Sequence, residues 1–158
     1  LPYYNGLLHN YNSTPLITGN DQLWCYYGVP HRENGPAFIN SDGRFWFHYG
    51  LLHCENGPAV IIGKSQLWYK FGKLHSYNNN PAIIHADGSR EYYADGLLHR
   101  DNGPAIDSKD GIDYYYTSGV FIKKYNPCNW KSWYQEGVGR YCNKEHTYRI
   151  LKSGKFVI

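Results

Sequence analysis

The chain of 158 residues has no methionine, only four cysteines and no apolar run longer than a few positions. Runs that short exclude a membrane-spanning helix, which needs about 20 consecutive apolar residues. Cys25, Cys54, Cys128 and Cys142 form no Cys-x-x-Cys pair. A thiolate metal cluster is therefore not expected, and the density is low for a disulfide framework. A Cys128–Cys142 bridge is left open. Gly-x-Ser-x-Gly, a phosphate-binding loop, His-Glu-x-x-His and Gly-x-Gly-x-x-Gly are all missing, so no nucleophile, nucleotide or zinc-protease motif points to an enzyme. No metal and no cofactor are expected. Leu1-Pro2-Tyr3-Tyr4 do not read as a signal peptide. The chain opens inside a repeat without an initiator methionine, so the expected N-terminus was trimmed or lies upstream. Asn12-Ser13-Thr14 matches a glycosylation sequon, a tripeptide that arises often by chance.

What the chain does have is tyrosine, 17 of them, with five tryptophans. Tyrosine suits a thin layer that is apolar inside and wet at its tip. The chain also repeats itself. Gly28-Val29-Pro30-His31-Arg32-Glu33-Asn34-Gly35-Pro36-Ala37 returns as Gly50-Leu51-Leu52-His53-Cys54-Glu55-Asn56-Gly57-Pro58-Ala59 and as Gly96-Leu97-Leu98-His99-Arg100-Asp101-Asn102-Gly103-Pro104-Ala105. Weaker copies run from Gly6 to Leu16 and from Gly72 to Ala82. The glycines at 6, 28, 50, 72 and 96 are separated by steps of 22, 22, 22 and 24. A period of this size marks units that cannot bury an apolar face alone and must stack.

Each unit contains an aromatic segment with period-two character, such as Phe45-Trp46-Phe47-His48-Tyr49, and a short aliphatic one after the proline, such as Ala59-Val60-Ile61-Ile62. Both read as strands. Asp42-Gly43, Asp87-Gly88 and Asp110-Gly111 join them as hairpin turns, since Asp and Gly tolerate positive φ. Asn34-Gly35, Asn56-Gly57 and Asn102-Gly103 precede proline, which has no N–H to close such a turn, so they shape a linker. Ten to twelve strands at ~4.8 Å give a twisted sheet roughly 50 Å long. The expected fold is all-β: an elongated single antiparallel sheet of stacked β-hairpin repeats, an open solenoid. Residues 1–119 hold five to six hairpins and 120–158 form an atypical C-terminal cap. Lining up the aromatic segments places Trp24, Trp46, Trp68, Tyr92 and Tyr114 in a ladder, one per unit.

This organisation resembles the MORN repeat, a hairpin unit with a Tyr/Trp-containing strand followed by Asn-Gly-Lys-x-His-Gly. Phe71-Gly72-Lys73-Leu74-His75 is its nearest local match here. The His-x-x-Asn-Gly-Pro-Ala ending departs from the usual form and resembles a MORN-related variant found in large DNA viruses and some bacteria. The resemblance covers about residues 1–120. Arrays of this type serve as scaffolds, membrane-associated modules and enzyme appendages, so the resemblance specifies architecture more than function. The viral occurrence of the variant implies a viral structural component or viral factor in an intracellular or virion-associated setting, with another protein, of the virion or of a host, as the partner.

His9, His31, His53, His75 and His99 recur once per unit. Metal ligation or general-base chemistry would use such residues. Neighbours in the ladder lie two strand spacings apart, ~9–10 Å, too far to share one metal. A residue needed in every unit reads instead as a folding requirement, like Pro36, Pro58 and Pro104. The pairs Arg32-Glu33 and Arg100-Asp101 read as exposed linker pairs of little energetic weight, and no unique polar cluster stands out. Charge is uneven. Residues 1–119 carry eight Lys/Arg against eleven Asp/Glu, net −3, and residues 120–158 carry eight against two, net +6, which together make the chain's +3. In that segment Lys123, Lys124, Lys131 and Arg140 interleave with Trp130 and Trp133. Basic residues among aromatics suit a nucleic-acid backbone or an anionic membrane surface, an acidic protein, or a cap whose lysines blunt an edge strand. The expected function is a non-enzymatic scaffold that binds a protein through the aromatic ladder and the basic end. Nucleic-acid or anionic-lipid binding by the basic segment is the alternative, and a histidine-based hydrolase or transferase a third.

Overall fold

The structure, a computed structural model, describes residues 3–10 and 14–126, together with the backbone of 139–142, 147–150 and 156–157. It is all-β, and no helix occurs among the described residues. Eleven strands follow one another antiparallel in a single open sheet: β1 (Leu16–Thr18), β2 (Asp21–Leu23), β3 (Phe38–Ile39), β4 (Gly43–Phe45), β5 (Val60–Ile62), β6 (Ser65–Leu67), β7 (Ile83–Ile84), β8 (Arg90–Glu91), β9 (Ile106–Asp107), β10 (Asp113–Thr117) and β11 (Val120–Tyr125). Sequential neighbours pair throughout, as stacked hairpins must. Val120–Tyr125, grouped by its sequence with the C-terminal segment, is the last strand of this sheet. A separate three-stranded sheet joins Gly139–Cys142, Thr147–Ile150 and Phe156–Val157. In it Arg149 and Ile150 pair with Val157 and Phe156, and the intervening residues 151–155 lie outside the described residues.

Each aromatic segment does two jobs. Its first half runs in the sheet, and its second half leaves to form a two-stranded ribbon, as Phe47–His48 does with Leu51–Leu52; the last segment, Asp113–Thr117, stays in the sheet along its whole length. The change of partner falls on the ladder residue. Trp46 donates its N–H to Ala59 O at 2.8 Å, and its carbonyl accepts from His53 N–H at 3.0 Å. The linker between those two partners, from His53 to Ala59, is thus an excursion opposite one residue. Gly35 and Gly103, at φ 130° and 139°, bend it where Asn-Gly-Pro predicts a linker. The alanine closing each linker (Ala37, Ala59, Ala82, Ala105) is fully buried.

A second hairpin turn per unit escapes the sequence reading. Tyr27-Gly28, Tyr49-Gly50, Phe71-Gly72, Asp95-Gly96 and Ser118-Gly119 each close a ribbon or, in the last case, β10 to β11, with both residues at positive φ. That is the two-residue turn whose twist matches the strands. An aromatic residue in the left-handed region costs about 1–2 kcal/mol, and contacts from the preceding unit offset it.

Candidate functional site

The ladder histidines form those contacts. His9, His31, His75 and His99 each accept, at Nδ1, the backbone N–H of the turn residue one unit later: Tyr27 at 3.4 Å, Tyr49 at 3.2 Å, Asp95 at 3.3 Å and Ser118 at 3.1 Å. His31 also stacks on Tyr49 at 4.2 Å, and His53 on Phe71 at 4.2 Å. The following glycine adds a backbone bond across the same seam, Gly50 N–H to Pro30 O and Gly72 N–H to Leu52 O, both 2.8 Å. Histidine, turn residue and glycine together tie one unit to the next. Pro36, Pro58 and Pro104 are half-buried in the linkers, and the carbonyls of Pro36 and Pro104 accept from Arg32 and Arg100 at 3.3 Å.

The aromatic ladder requires two corrections. Its fifth member is Tyr115, not Tyr114. The backbone bond Arg100 N–H to Tyr116 O parallels Arg32 N–H to Phe47 O, which sets Tyr115 level with Trp46. Tyr114 instead pairs with Ile106 in the sheet register. A run of three tyrosines hides a one-residue shift, and the Ser118-Gly119 turn fixes it. Secondly, the ladder does not present five open rings. Trp24 and Tyr92 are 5 % and 4 % exposed, because the Arg32 guanidinium lies 3.8 Å over Trp24 and that of Arg100 lies 3.7 Å over Tyr92. Those arginines cover aromatic faces instead of pairing with Glu33 and Asp101, as cation–π attraction favours. Cys54 and Ser76 hold the equivalent linker position beside Trp46 and Trp68, which stay half-buried.

An exposed apolar strip, absent from the sequence reading, lies along the turns. Leu7, Val29 and Leu51 follow the turn glycines of successive units, and Tyr27, Tyr49 and Phe71 precede them; exposure runs from 40 % at Val29 to 52 % at Tyr49. The strip is continuous. A Cβ placed on Gly28, Gly50 or Gly72 would stand 3.6, 3.4 and 3.4 Å from Leu7, Val29 and Leu51. It ends where Lys73 and Asp95 take the same positions.

Among the described residues a polar cluster unique to one unit also appears, contrary to the sequence reading. Glu91 stands between Ile83 and Ile106 in the register row that carries Leu67. His85 Nε2 lies 2.6 Å from one of its oxygens, and the Tyr93 hydroxyl donates to the other at 2.7 Å. Burial first, then the Glu91 carboxylate, push the Tyr93 hydroxyl well above the usual tyrosine range. The half-buried carboxyl group is hydrogen-bonded from both sides, as a polar group in an apolar row must be. Glu91 occupies the ladder-minus-one position held by Leu23, Phe45 and Leu67, which is the signal a unit-by-unit alignment offers.

At the end of the sheet, Lys123 lies 4.7 Å over Tyr115, and Lys124 and Tyr125 are exposed beside it. Trp130, Lys131, Trp133 and Cys128 lie outside the described residues, and of Arg140 and Cys142 only the backbone strand is described. Among the described residues no three His, Cys, Asp or Glu side chains converge on a metal position, and no helix is long and apolar enough to cross a membrane. The chain matches no protein-family model, no curated protein and no solved structure.

Proposed function

We propose that the chain is a non-enzymatic repeat scaffold that holds a protein partner along its turn edge. The observation that carries this is the apolar strip from Leu7 to Phe71. Six large side chains at four successive turns stand about half-exposed on a hydrogen-bonded seam that fixes their spacing. Contiguous exposed apolar surface on a rigid support is what a protein partner buries. Trp46 and Trp68, without an arginine over them, extend the candidate contact. The test compares the whole chain with a triple variant, Leu7→Lys, Val29→Lys and Leu51→Lys. Lysine is native at this position as Lys73, so the variant folds. A partner retained by the wild-type chain from an extract of its source cells should be lost about tenfold or more by the triple variant, and should resist nuclease and moderate salt. Retention by the variant overturns the reading.

Exposed Lys123 and Lys124 beside Tyr125 favour a second reading, binding of nucleic acid or anionic lipid. Its mark is binding that weakens steeply with salt and disappears in Lys123→Ala, Lys124→Ala while surviving in the triple variant.

A further inference from the structure

The seams between units differ in one residue. An imidazole nitrogen accepts a hydrogen bond only while it carries no proton, so the bonds from Tyr49 N–H to His31 and from Asp95 N–H to His75 both require neutral rings at Nδ1. At the His75 seam the turn residue is an aspartate, whose carboxylate lies 3.2 Å from that same Nδ1. A proton arriving there turns an acceptor into a donor to Asp95. At His99, Asp101 stands 3.3 Å from Nε2. The turn residue at the His31 seam is Tyr49, which offers a ring face and no negative charge. His31 is 1 % exposed. The titratable and charged groups facing it include Tyr26 at 5.7 Å, His48 at 5.1 Å, the stacked Tyr49, and Glu33 of its own linker. His48 in turn lies 5.8 Å from His53, so a charge on one ring is felt along three imidazoles.

We infer that mild acid opens the seam between His31 and Tyr49 while the seam between His75 and Asp95 stays closed, giving the ribbon an acid-sensitive N-terminal half. Burial first, then His48, hold the His31 imidazole below its ordinary value, against a smaller opposite pull from Glu33. A histidine whose pKa is lower folded than unfolded stabilises the fold above the unfolded value, ~6.5. That stability is lost as pH falls below it towards the folded value. The opened state is the one in which Tyr49 N–H bonds to water and His31 carries its proton. This holds whether or not a partner binds the turn edge.

Two amides report the seams without touching an imidazole: Gly50, bonded to Pro30 O, and Gly96, bonded to Leu74 O, each at 2.8 Å. Hydrogen exchange of the whole chain, corrected for intrinsic rates, should show Gly50 protection falling about tenfold between about pH 7.5 and 5.5, with Gly96 changing less than about twofold. Tyr49→Asp copies the His75–Asp95 arrangement. It lowers Gly50 protection at every pH by removing the stacked ring, yet flattens its pH dependence. His31→Asn leaves an oxygen acceptor that does not protonate near neutrality and flattens it too. Equal losses at Gly50 and Gly96, no loss at either, or an undiminished pH response in both variants overturns the inference.

Discussion

Replacing Trp24 by alanine should destabilise the N-terminal units by about 3–5 kcal/mol, the range for deleting a buried large aromatic. The ring is 5 % exposed and is capped by Arg32 at 3.8 Å. The residue also sits where the backbone changes partner, donating to Ala37 O and accepting from His31 N–H. Removing the ring opens a void beneath Arg32 and strands the guanidinium, whose remaining fixed bond is to Pro36 O. Because stacked units lean only on neighbours, the loss should stay local. Urea unfolding followed by tryptophan fluorescence should split into an early N-terminal transition and a later one. Exchange at Asn10 N–H, bonded to Cys25 O at 2.8 Å, should accelerate before exchange at Gly96. Arg32→Ala, which leaves the ring in place, should cost about 1 kcal/mol, the scale of a partly desolvated cation–π contact. Trp68→Ala, where Ser76 replaces the arginine and the ring is half-buried, should cost less than Trp24→Ala. A cost below about 1 kcal/mol at Trp24 would show that the ring is cover and not core.

The architecture was legible because it rests on local chemistry. Glycines at a fixed period, Asp-Gly before aromatic strands and proline after Asn-Gly each state a backbone requirement within three or four residues, and the hairpins follow. The unread parts come from contacts between units. Tyr49 and Phe71 are poor residues for φ 46° and 44°, and contacts from the preceding unit, led by the histidine 18 residues earlier in both cases, make those turns tolerable. A reading confined to one unit therefore sees Gly50 and Gly72 as markers of the period and not as turns. Burial of Trp24 and Tyr92 depends on Arg32 and Arg100 folding back over them, which an adjacent acidic residue disguised as a surface ion pair. The place of Glu91 likewise follows from the register, which sets it between Ile83 and Ile106. Of the candidate contact surface, the aromatic ladder was visible and the turn strip was not, because its exposure follows from a turn the sequence did not announce.

Gly43 shows the same division within one residue, and its substitution is the second large effect. The Asp42-Gly43 pair was read as needing glycine for positive φ, yet Gly43 is not among the left-handed residues, whereas Gly88 and Gly111 are, at φ 93° and 84°. Its requirement is space. A Cβ there would lie 2.1 Å from the backbone oxygen of Ile61 and 3.1 Å from Ile62 Cγ1. The equivalent positions in the neighbouring units are Asp21 and Ser65, which carry side chains. The difference lies in the pairing. β4 and β5 register over three pairs, ending in Gly43↔Ile62, whereas β2 with β3 and β6 with β7 stop after two. Glycine therefore permits an extra rung by letting the backbones close. Gly43→Ala should cost about 2–3 kcal/mol, the upper part of the range for forced overpacking. The strands should retreat to the two-pair register of their neighbours. Cross-strand NMR contacts between residues 43 and 62 should vanish while Arg44–Ile61 and Phe45–Val60 persist. Asp21→Ala, at the matching position, where the third rung with Thr18 already accommodates a Cβ, should change stability by no more than about 0.5 kcal/mol. Equal effects at the two sites would mean that turn strain, and not the close approach of β4 to β5, sets the demand for glycine.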